Sequence, residues 1–273
     1  MGLGPEWLLD NGLAERLRGE GFVVEANTIG LEGLYPAELA VGFFLHHAIA
    51  DAVAMARQEE SLPLVLTGNC NSGVLGCLAA AGRTSSGKLG LVWFDAHSDC
   101  RVPETIREGF LDSMGLAMAM GRCWQGALAE LEGLSPLSRG QALHVGSRDL
   151  DHAELAELAA AGVVVVSADE VDNSTAGSLM RGVESLGRDC DELHLHLDMD
   201  AHDARFGRAN DWATDGGLGA IDYLQSVELV LSRCNVTSVS LASYDPSADT
   251  EGHIGASAIE LAVACAHGLA GLP

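Results

Sequence analysis

Leu89-Gly90-Leu91-Val92-Trp93-Phe94-Asp95-Ala96-His97-Ser98-Asp99 is the stretch on which the reading turns. Its first six residues form a short run without charge, ending abruptly at a carboxylate. Such a run is the signature of a strand buried on both faces, as in a parallel sheet covered by helices. In extended backbone, residues i, i+2 and i+4 point to one side. Asp95, His97 and Asp99 therefore present two carboxylates and an imidazole together.

The same grammar extends along the chain. Strand-like runs occur at Phe22–Glu25, Leu62–Thr67, Ala142–Gly146, Val163–Ser167, Glu192–Leu197 and Val236–Leu241. Between them lie segments with 3.6-residue apolar spacing, among them Ala37–Arg57, Ala153–Ala160, Ala176–Leu186, Ile221–Ser232 and Ala256–Gly268. This alternation predicts an α/β fold, a three-layer α/β/α sandwich with a mostly parallel sheet. No internal repeat or long linker interrupts it, so residues 1–273 read as a single domain. Open parallel sheets place ligand sites at the carboxyl ends of their strands, and the residues to examine are those that follow each strand.

Composition narrows the chemistry. Against 15 Lys and Arg stand 39 Asp and Glu, a formal net charge of −24. Such a surface repels phosphate backbones and anionic lipid, which argues against nucleic-acid and membrane partners and favours cations. No run of about 18 apolar residues is free of charge, which disfavours a membrane-spanning helix. The N-terminal stretch carries Glu6 and Asp10 without a basic region, unlike a signal peptide. Seven scattered cysteines with no CxxC pair fit reduced thiols and a cytoplasmic location better than a disulfide framework.

A second acidic cluster follows Glu192–Leu197, where Asp198 and Asp200 share a face in Asp198-Met199-Asp200-Ala201-His202-Asp203. Four carboxylates converging at strand ends repel one another unless a cation lies among them. Mixed carboxylate and imidazole donors suit Mn, Zn, Fe or Ni, and a pair of ions accommodates both clusters. The blander reading is that these are solvated loop carboxylates capping helices. A third strand end, Thr67-Gly68-Asn69-Cys70-Asn71-Ser72-Gly73, leads into an apolar helix. Read alone, it is a strand-to-helix turn with a buried Cys and an Asn cap.

The ordered set GNCNS (68–72), DAHSD (95–99) and HLDMDAHD (196–203) resembles the ureohydrolase family of arginases, agmatinases and formiminoglutamases. Gly4-Pro5 with Leu13 and Gly21 looks like the family's opening helix, His144–Asp151 like its GxRDxD segment, and Thr214–Leu218 like its PGGL turn. The family usually begins with a strand ahead of the Gly-Pro element, where this sequence starts. The resemblance implies an arginase-like fold with a binuclear manganese site. It also implies a hydroxide shared by the two ions that attacks a guanidinium carbon and releases urea. It places Asp95 and Asp198 as bridging ligands, His97 and Asp200 on one ion, and Asp99 on the other and as the proton-steering carboxylate. Family members are commonly trimers or hexamers, so a homo-oligomer is expected.

Four departures shape the expectation. Cys70 stands where the family carries a histidine ligand, as in a cysteine-bearing subgroup that includes the Nω-hydroxy-L-arginine hydrolase of D-cycloserine biosynthesis. Cys70 is either a softer ligand, moving the metal toward Zn or Fe, or an unligated thiol. Asp112 replaces the histidine that shuttles protons in arginases and is either a shuttle or a helix-start cap. Ser243 takes the place of the glutamate that grips the guanidinium, which counts against arginine itself. Finally, Arg101 and Arg107 lie in the loop that binds the α-carboxylate in arginases. Each could pair bidentately with a substrate carboxylate or bridge to Glu104 and Glu108.

Asp151 survives where arginases hold the α-amino group. His194 and His196 read as core-side histidines, at the second of which the family usually has a small residue. His46-His47 reads as structural, and Trp212 as a pocket wall or loop packing. The function expected is a metal-dependent hydrolase of a small guanidino or modified-guanidino compound. The competing expectations are a binding protein on the same scaffold, or a hydrolase of an amide or formimino bond.

Overall fold

Parallel strands cannot be joined by hairpins, so each pair needs a crossover long enough to hold a helix. The chain supplies these in turn. The computed structural model describes residues 1–31, 33, 35–106, 109–148, 150–173 and 177–271. It opens with α1 (Gly4–Asp10), α2 (Leu13–Gly19) and α3 (Glu38–Gln58), followed by β1 (Leu64–Leu66), α4 (Cys70–Thr84) and β2 (Leu89–Phe94). Short helices α5 (Gly115–Ala119) and α6 (Gln125–Leu128) lead to β3 (Ala142–Ser147), α7 (His152–Ala161), β4 (Val164–Ser167), α8 (Ala168–Asn173) and α9 (Ser178–Asp189). The chain closes with β5 (Glu192–Asp198), α10 (Ala220–Arg233), β6 (Val236–Ala242) and α11 (His253–Leu269).

Among the described residues the sheet has six strands in the order β1-β6-β5-β2-β3-β4, all parallel. Alternation along each strand builds a core on each face. Val92 and Phe94 of β2 and Leu193, Leu195 and Leu197 of β5 pack with Val183, Tyr223, Val227 and Ile254 from α9, α10 and α11. Leu91 and Trp93 face the other way, onto Val74, Leu75 and Leu78 of α4 and Leu158 of α7. This is the expected α/β/α sandwich.

Helix α4 is buried from Cys70 to Ala81, between the sheet and α3. Its glycines permit that closeness: a Cβ on Gly76 would lie 2.5 Å from Ile49 Cγ2 of α3, and one on Gly73 would lie 2.9 Å from Ser240 Cβ of β6. By length and composition α3 could cross a membrane. Its Ile49, Ala50 and Val53 instead pack onto the core side.

One expected strand is absent. Phe22–Glu25 makes no ladder; Val23 is fully exposed, while Phe22 and Val24 pack against the core and Phe22 meets His267 edge-on at 5.2 Å. A run of three apolar residues becomes a strand only when a neighbouring edge offers it hydrogen bonds, and among the described residues none pairs with it.

Topology then fixes where a site belongs. From β2 the chain moves to β3 on one side, and from β5 it moves to β6 on the other. The adjacent strands β2 and β5 are thus a point where connections diverge and leave a crevice beyond their carboxyl ends. In register, Phe94 lies beside Leu197, so the residues that emerge into that crevice are Asp95 and Asp198.

Candidate metal centre

Each acidic cluster is held by its own local backbone. Asp95 Oδ1 accepts the His97 amide at 2.7 Å, and its Oδ2 accepts the Trp93 indole N–H at 2.8 Å. Asp198 Oδ1 accepts the Asp200 amide at 2.7 Å, closing a turn that starts the short 3-10 segment Met199–Ala201. Asp200 is fixed in turn by the Ala96 amide at 3.3 Å on Oδ1 and the Asn210 side-chain amide at 3.1 Å on Oδ2. The His97 ring spans the crevice, with Nδ1 3.4 Å from both Asp95 Oδ1 and Asp200 Oδ2. Asp99 sits at φ 43°, a left-handed conformation unusual for a non-glycine residue. Its carbonyl anchors the amides of Leu116 and Ala117 at 2.8 and 3.2 Å.

The start of α4 closes the site from below. Cys70 Sγ donates to Asp198 Oδ2 at 2.7 Å and lies 3.2 Å from Ser243 Oγ. Asp112 Oδ1 accepts the backbone amides of Cys70 (2.8 Å) and Asn71 (3.1 Å) and the Asn71 side-chain amide (3.0 Å). One carboxylate oxygen thus serves two orphan N–H groups of a helix N-terminus. Ser243 is a buried residue at φ 63°, and its carbonyl accepts Asn210 Nδ2 at 2.9 Å.

Three donor groups result, each with its ligand atoms within 4.8 Å of one another: Asp95, His97 and Asp200; and, sharing Cys70, Cys70 with Asp99 and Asp112 and Cys70 with His196 and Asp198. The five residues that the family resemblance assigns as ligands, with Cys70 at the sixth position, line one crevice. Their electrostatics reflect acidic groups crowded together out of water. Burial, then Asp200, pushes Asp95 up to about 6. Burial and neighbouring carboxylates drive Asp99 and Asp198 well above the ordinary range.

Burial also raises Asp112, to about 6. The Cys70 thiol is raised by burial and then by Asp198. Burial opposes protonation of His97, but Asp200 and Asp95 lift it to about 12. Burial likewise disfavours the Asp200 anion, but His97 holds it well below the usual range. Carboxylates crowded together out of water in this way are a donor set that a divalent cation would neutralise.

Above the donors lies a cavity of about 300 Å³. Its outer wall is Phe110 stacked on Trp212, ring centroids 5.4 Å apart, so Trp212 does wall the pocket. Arg101 also lines it, bound to Asp151 at 3.0 Å and Glu154 at 3.2 Å. Asp151 does not line the cavity; its Oδ1 caps α7 by accepting the Glu154 amide at 2.9 Å, and half its side chain is exposed. Arg107 lies outside the described residues.

Sequence patterns do not announce several residues of the pocket. Glu154 accepts Ser98 Oγ at 2.9 Å and is buried; the Asp-x-x-Glu capping box from Asp151 was its signal. Asn210, which ties Asp200 to Ser243, sits in an irregular loop with no pattern to announce it. Arg148 lies in a segment that was recognised, but its role was not foreseen. It holds the loops by donating to the carbonyls of Asp200, His202 and Thr214 at 2.9–3.0 Å.

Comparison with known proteins agrees with this geometry. The sequence profile of the arginase family matches residues 22–268. Arginase from Bacillus subtilis is 28% identical over 214 residues, which cover 78% of this chain and 71% of the relative. Human arginase-1 is 27% identical over 205 residues, covering 73% and 63% respectively. The solved structure of the B. subtilis arginase superposes with a TM-score of 0.86 at 27% identity, covering 96% of this chain and 91% of that one. With the family profile spanning most of its length, the chain belongs to the arginase family.

Proposed function

We propose that this arginase-family hydrolase cleaves a C–N bond of a small guanidino or modified-guanidino compound and releases urea or a urea derivative. The observation that carries the reading is the convergence of Cys70, Asp95, His97, Asp99, Asp198 and Asp200 in the crevice where β2 and β5 diverge. Two divalent ions fit these donors, manganese being the family's usual metal, with the Cys70 sulfur favouring Zn or Fe at its own site. The ions supply, when bound, an activated water and a polarised amidine carbon.

The chain's own residues do the rest. Asp95 and Asp198 hold the two halves of the centre together, each tied to its own strand end. Asp99, projecting from a left-handed backbone, is the carboxylate placed to take a proton from the attacking water and return it to the departing amine. Asp112 is spent on the α4 N-terminus, so it serves as a cap before it serves as a shuttle.

Ser243 and the Cys70 thiol make an uncharged wall beside Asp198. A full guanidinium would gain no ion pair there. An Nω-hydroxyguanidine, less basic because its oxygen withdraws electrons, suits that wall better, in keeping with the cysteine-bearing subgroup. At the outer end, Arg101 offers a fork to a substrate carboxylate, and the Phe110–Trp212 pair flanks the chain between the two ends.

The test is metal analysis of the purified protein followed by a guanidino panel that includes Nω-hydroxylated compounds, assayed for urea and hydroxyurea. Two equivalents of metal with turnover on the panel support the reading. A doubly loaded protein that releases neither product from any compound overturns it.

A further inference from the structure

The residue unaccounted for in this site is His196. It lies on β5 two residues before Asp198, is completely buried, and its Nε2 has no hydrogen-bond partner among the described residues. A buried ring nitrogen without a partner is costly and calls for an explanation. Ring position is not the difficulty, because the ring is firmly fixed. Its Nδ1 is 2.8 Å from Ser240 Oγ, and the ring packs on Trp93 at 4.4 Å between centroids.

A hydrogen-bond chain bears on the tautomer. Ser240 Oγ also lies 2.8 Å from His194 Nε2, and His194 Nδ1 lies 2.9 Å from Ser238 Oγ. If His196 Nδ1–H donates to Ser240, the Ser240 hydroxyl donates to His194 Nε2 and His194 Nδ1–H donates to Ser238. Every member of the chain is then satisfied, and His196 Nε2 carries a lone pair. The opposite polarity leaves an N–H buried with no acceptor, the rarer and worse outcome. An imidazole whose Nδ1–H is held by a hydroxyl presents Nε2 in the form that binds metal.

That ring belongs to the donor group of Cys70 and Asp198, whose ligand atoms lie within 4.8 Å of one another. The family resemblance puts a histidine at the Cys70 position and a small residue at the His196 position. Here the thiol is on the helix and the imidazole on the strand. A cysteine reaches less far than a histidine, and the only imidazole grouped with Cys70 among the described residues is that of His196.

We propose that His196 is a metal ligand, its Nε2 joining Cys70 Sγ and an Asp198 oxygen on one divalent ion of the Zn or Co type. The proposal rests on reading the crevice as a divalent-metal centre. A thiolate, an imidazole and a carboxylate form a donor set that zinc and cobalt accept in tetrahedral geometry, whereas manganese favours oxygen.

The experiment titrates the metal-stripped full chain with Co²⁺, which reports thiolate ligation in the near ultraviolet and coordination geometry in the visible. The wild type is expected to develop a thiolate band that Cys70→Ser abolishes. His196→Gln is expected to keep that band, change the visible spectrum, and weaken the thiolate-bearing site roughly tenfold or more in chelator competition. A His196→Gln protein with unchanged visible spectrum and affinity overturns the assignment while leaving the metal centre standing. A wild type that takes up no Co²⁺ overturns the centre itself. Should His196→Gln not fold, long-range ¹H–¹⁵N spectra of Zn²⁺-loaded wild type decide: the His196 Nε2 resonance must move on loading, and a stationary one ends the proposal.

Discussion

Replacing Asp112 by alanine should destabilise the metal-free protein, whatever it does to turnover. Asp112 Oδ1 is the acceptor for two backbone amides and one side-chain amide at the first turn of α4. All three donors are buried, and so is the carboxylate. The neighbouring cap is weak, since Asn69 Oδ1 reaches the Ser72 amide at only 3.4 Å. Each buried donor stripped of its acceptor costs about 1–3 kcal/mol.

The cavity above lets water reach part of the vacated space, and removing one carboxylate relieves repulsion with Asp95. The net loss should therefore be about 2–4 kcal/mol, above the roughly 0.5–2 kcal/mol of an ordinary helix cap because three donors lose one acceptor. Asp112→Asn, which keeps an acceptor oxygen, should lose about 1 kcal/mol. The assay is urea denaturation with chelator present, read by far-ultraviolet circular dichroism. An alanine variant within about 0.5 kcal/mol of wild type, the range of an ordinary surface change, would refute the capping role.

Three other outcomes follow from the same geometry. His46 is buried against Asn71, Nε2 to Oδ1 at 2.8 Å, and burial lowers it to about 4. The unfolded state takes up its proton first, so stability falls as pH drops from about 6.5 to 4, by about 3 kcal/mol from this group alone. His46→Gln should lose that share of the slope in urea midpoints at pH 7.5 and 4.5, and parallel declines would count against it. Arg101→Met should weaken binding of carboxylate-bearing guanidino compounds about tenfold, the value of one charge-assisted contact. It should leave compounds without a carboxylate unchanged, as inhibition constants would reveal. Divalent metal at 100 times its dissociation constant should stabilise the stripped protein by about 2.7 kcal/mol, or roughly 5–10 °C in Tm. An unmoved melting curve would mean that the crevice does not bind the ion.

What the sequence made legible and what it hid divide along physical lines. Leu89–Phe94 was readable because burial on both faces leaves a continuous apolar stretch ending at a carboxylate, and Glu192–Leu197 because its leucines alternate up to Asp198. Asp95, His97, Asp99, Asp198 and Asp200 were readable as acidic clusters at strand ends, but not as single strand faces: β2 stops at Phe94, Asp99 sits at φ 43°, and Asp200 lies in a 3-10 turn, so Asp200 joins Asp95 and His97 while Asp99 turns to Cys70 and Asp112. Phe22–Glu25 misled because a strand needs a partner, and pairing is not a local property. Cys70 and Asp112 could be named but not explained, since the helix cap joins residues 42 positions apart. Asn210 was invisible for the same reason, its work being done between two loops. His196 lay in plain view, and only the lack of a partner for its Nε2 separates it from His194, which has both nitrogens occupied.

The charge of the pocket is the remaining step. A chain with net charge −24 could have left the whole cavity acidic, as suits a substrate cationic at both ends. Instead the acidic groups are sorted. Asp95, Asp99, Asp198 and Asp200 line the cavity together, while Glu154 on its wall and Asp151 outside it are both engaged by Arg101. A carboxylate already paired with a guanidinium has little left to offer an α-amino group, and among the described residues the ion pairs of Arg101 lie on one nitrogen, Nη2. A ligand that is polar and electrophilic at one end and anionic at the other complements this gradient, whereas one bearing a second cation meets Arg101 head-on. Comparing 4-guanidinobutyrate with agmatine as inhibitors isolates that difference, because they share a four-carbon spacing and differ at the far end. Equal inhibition, or preference for agmatine, would mean that Arg101 faces its carboxylate partners alone and takes no part in recognition.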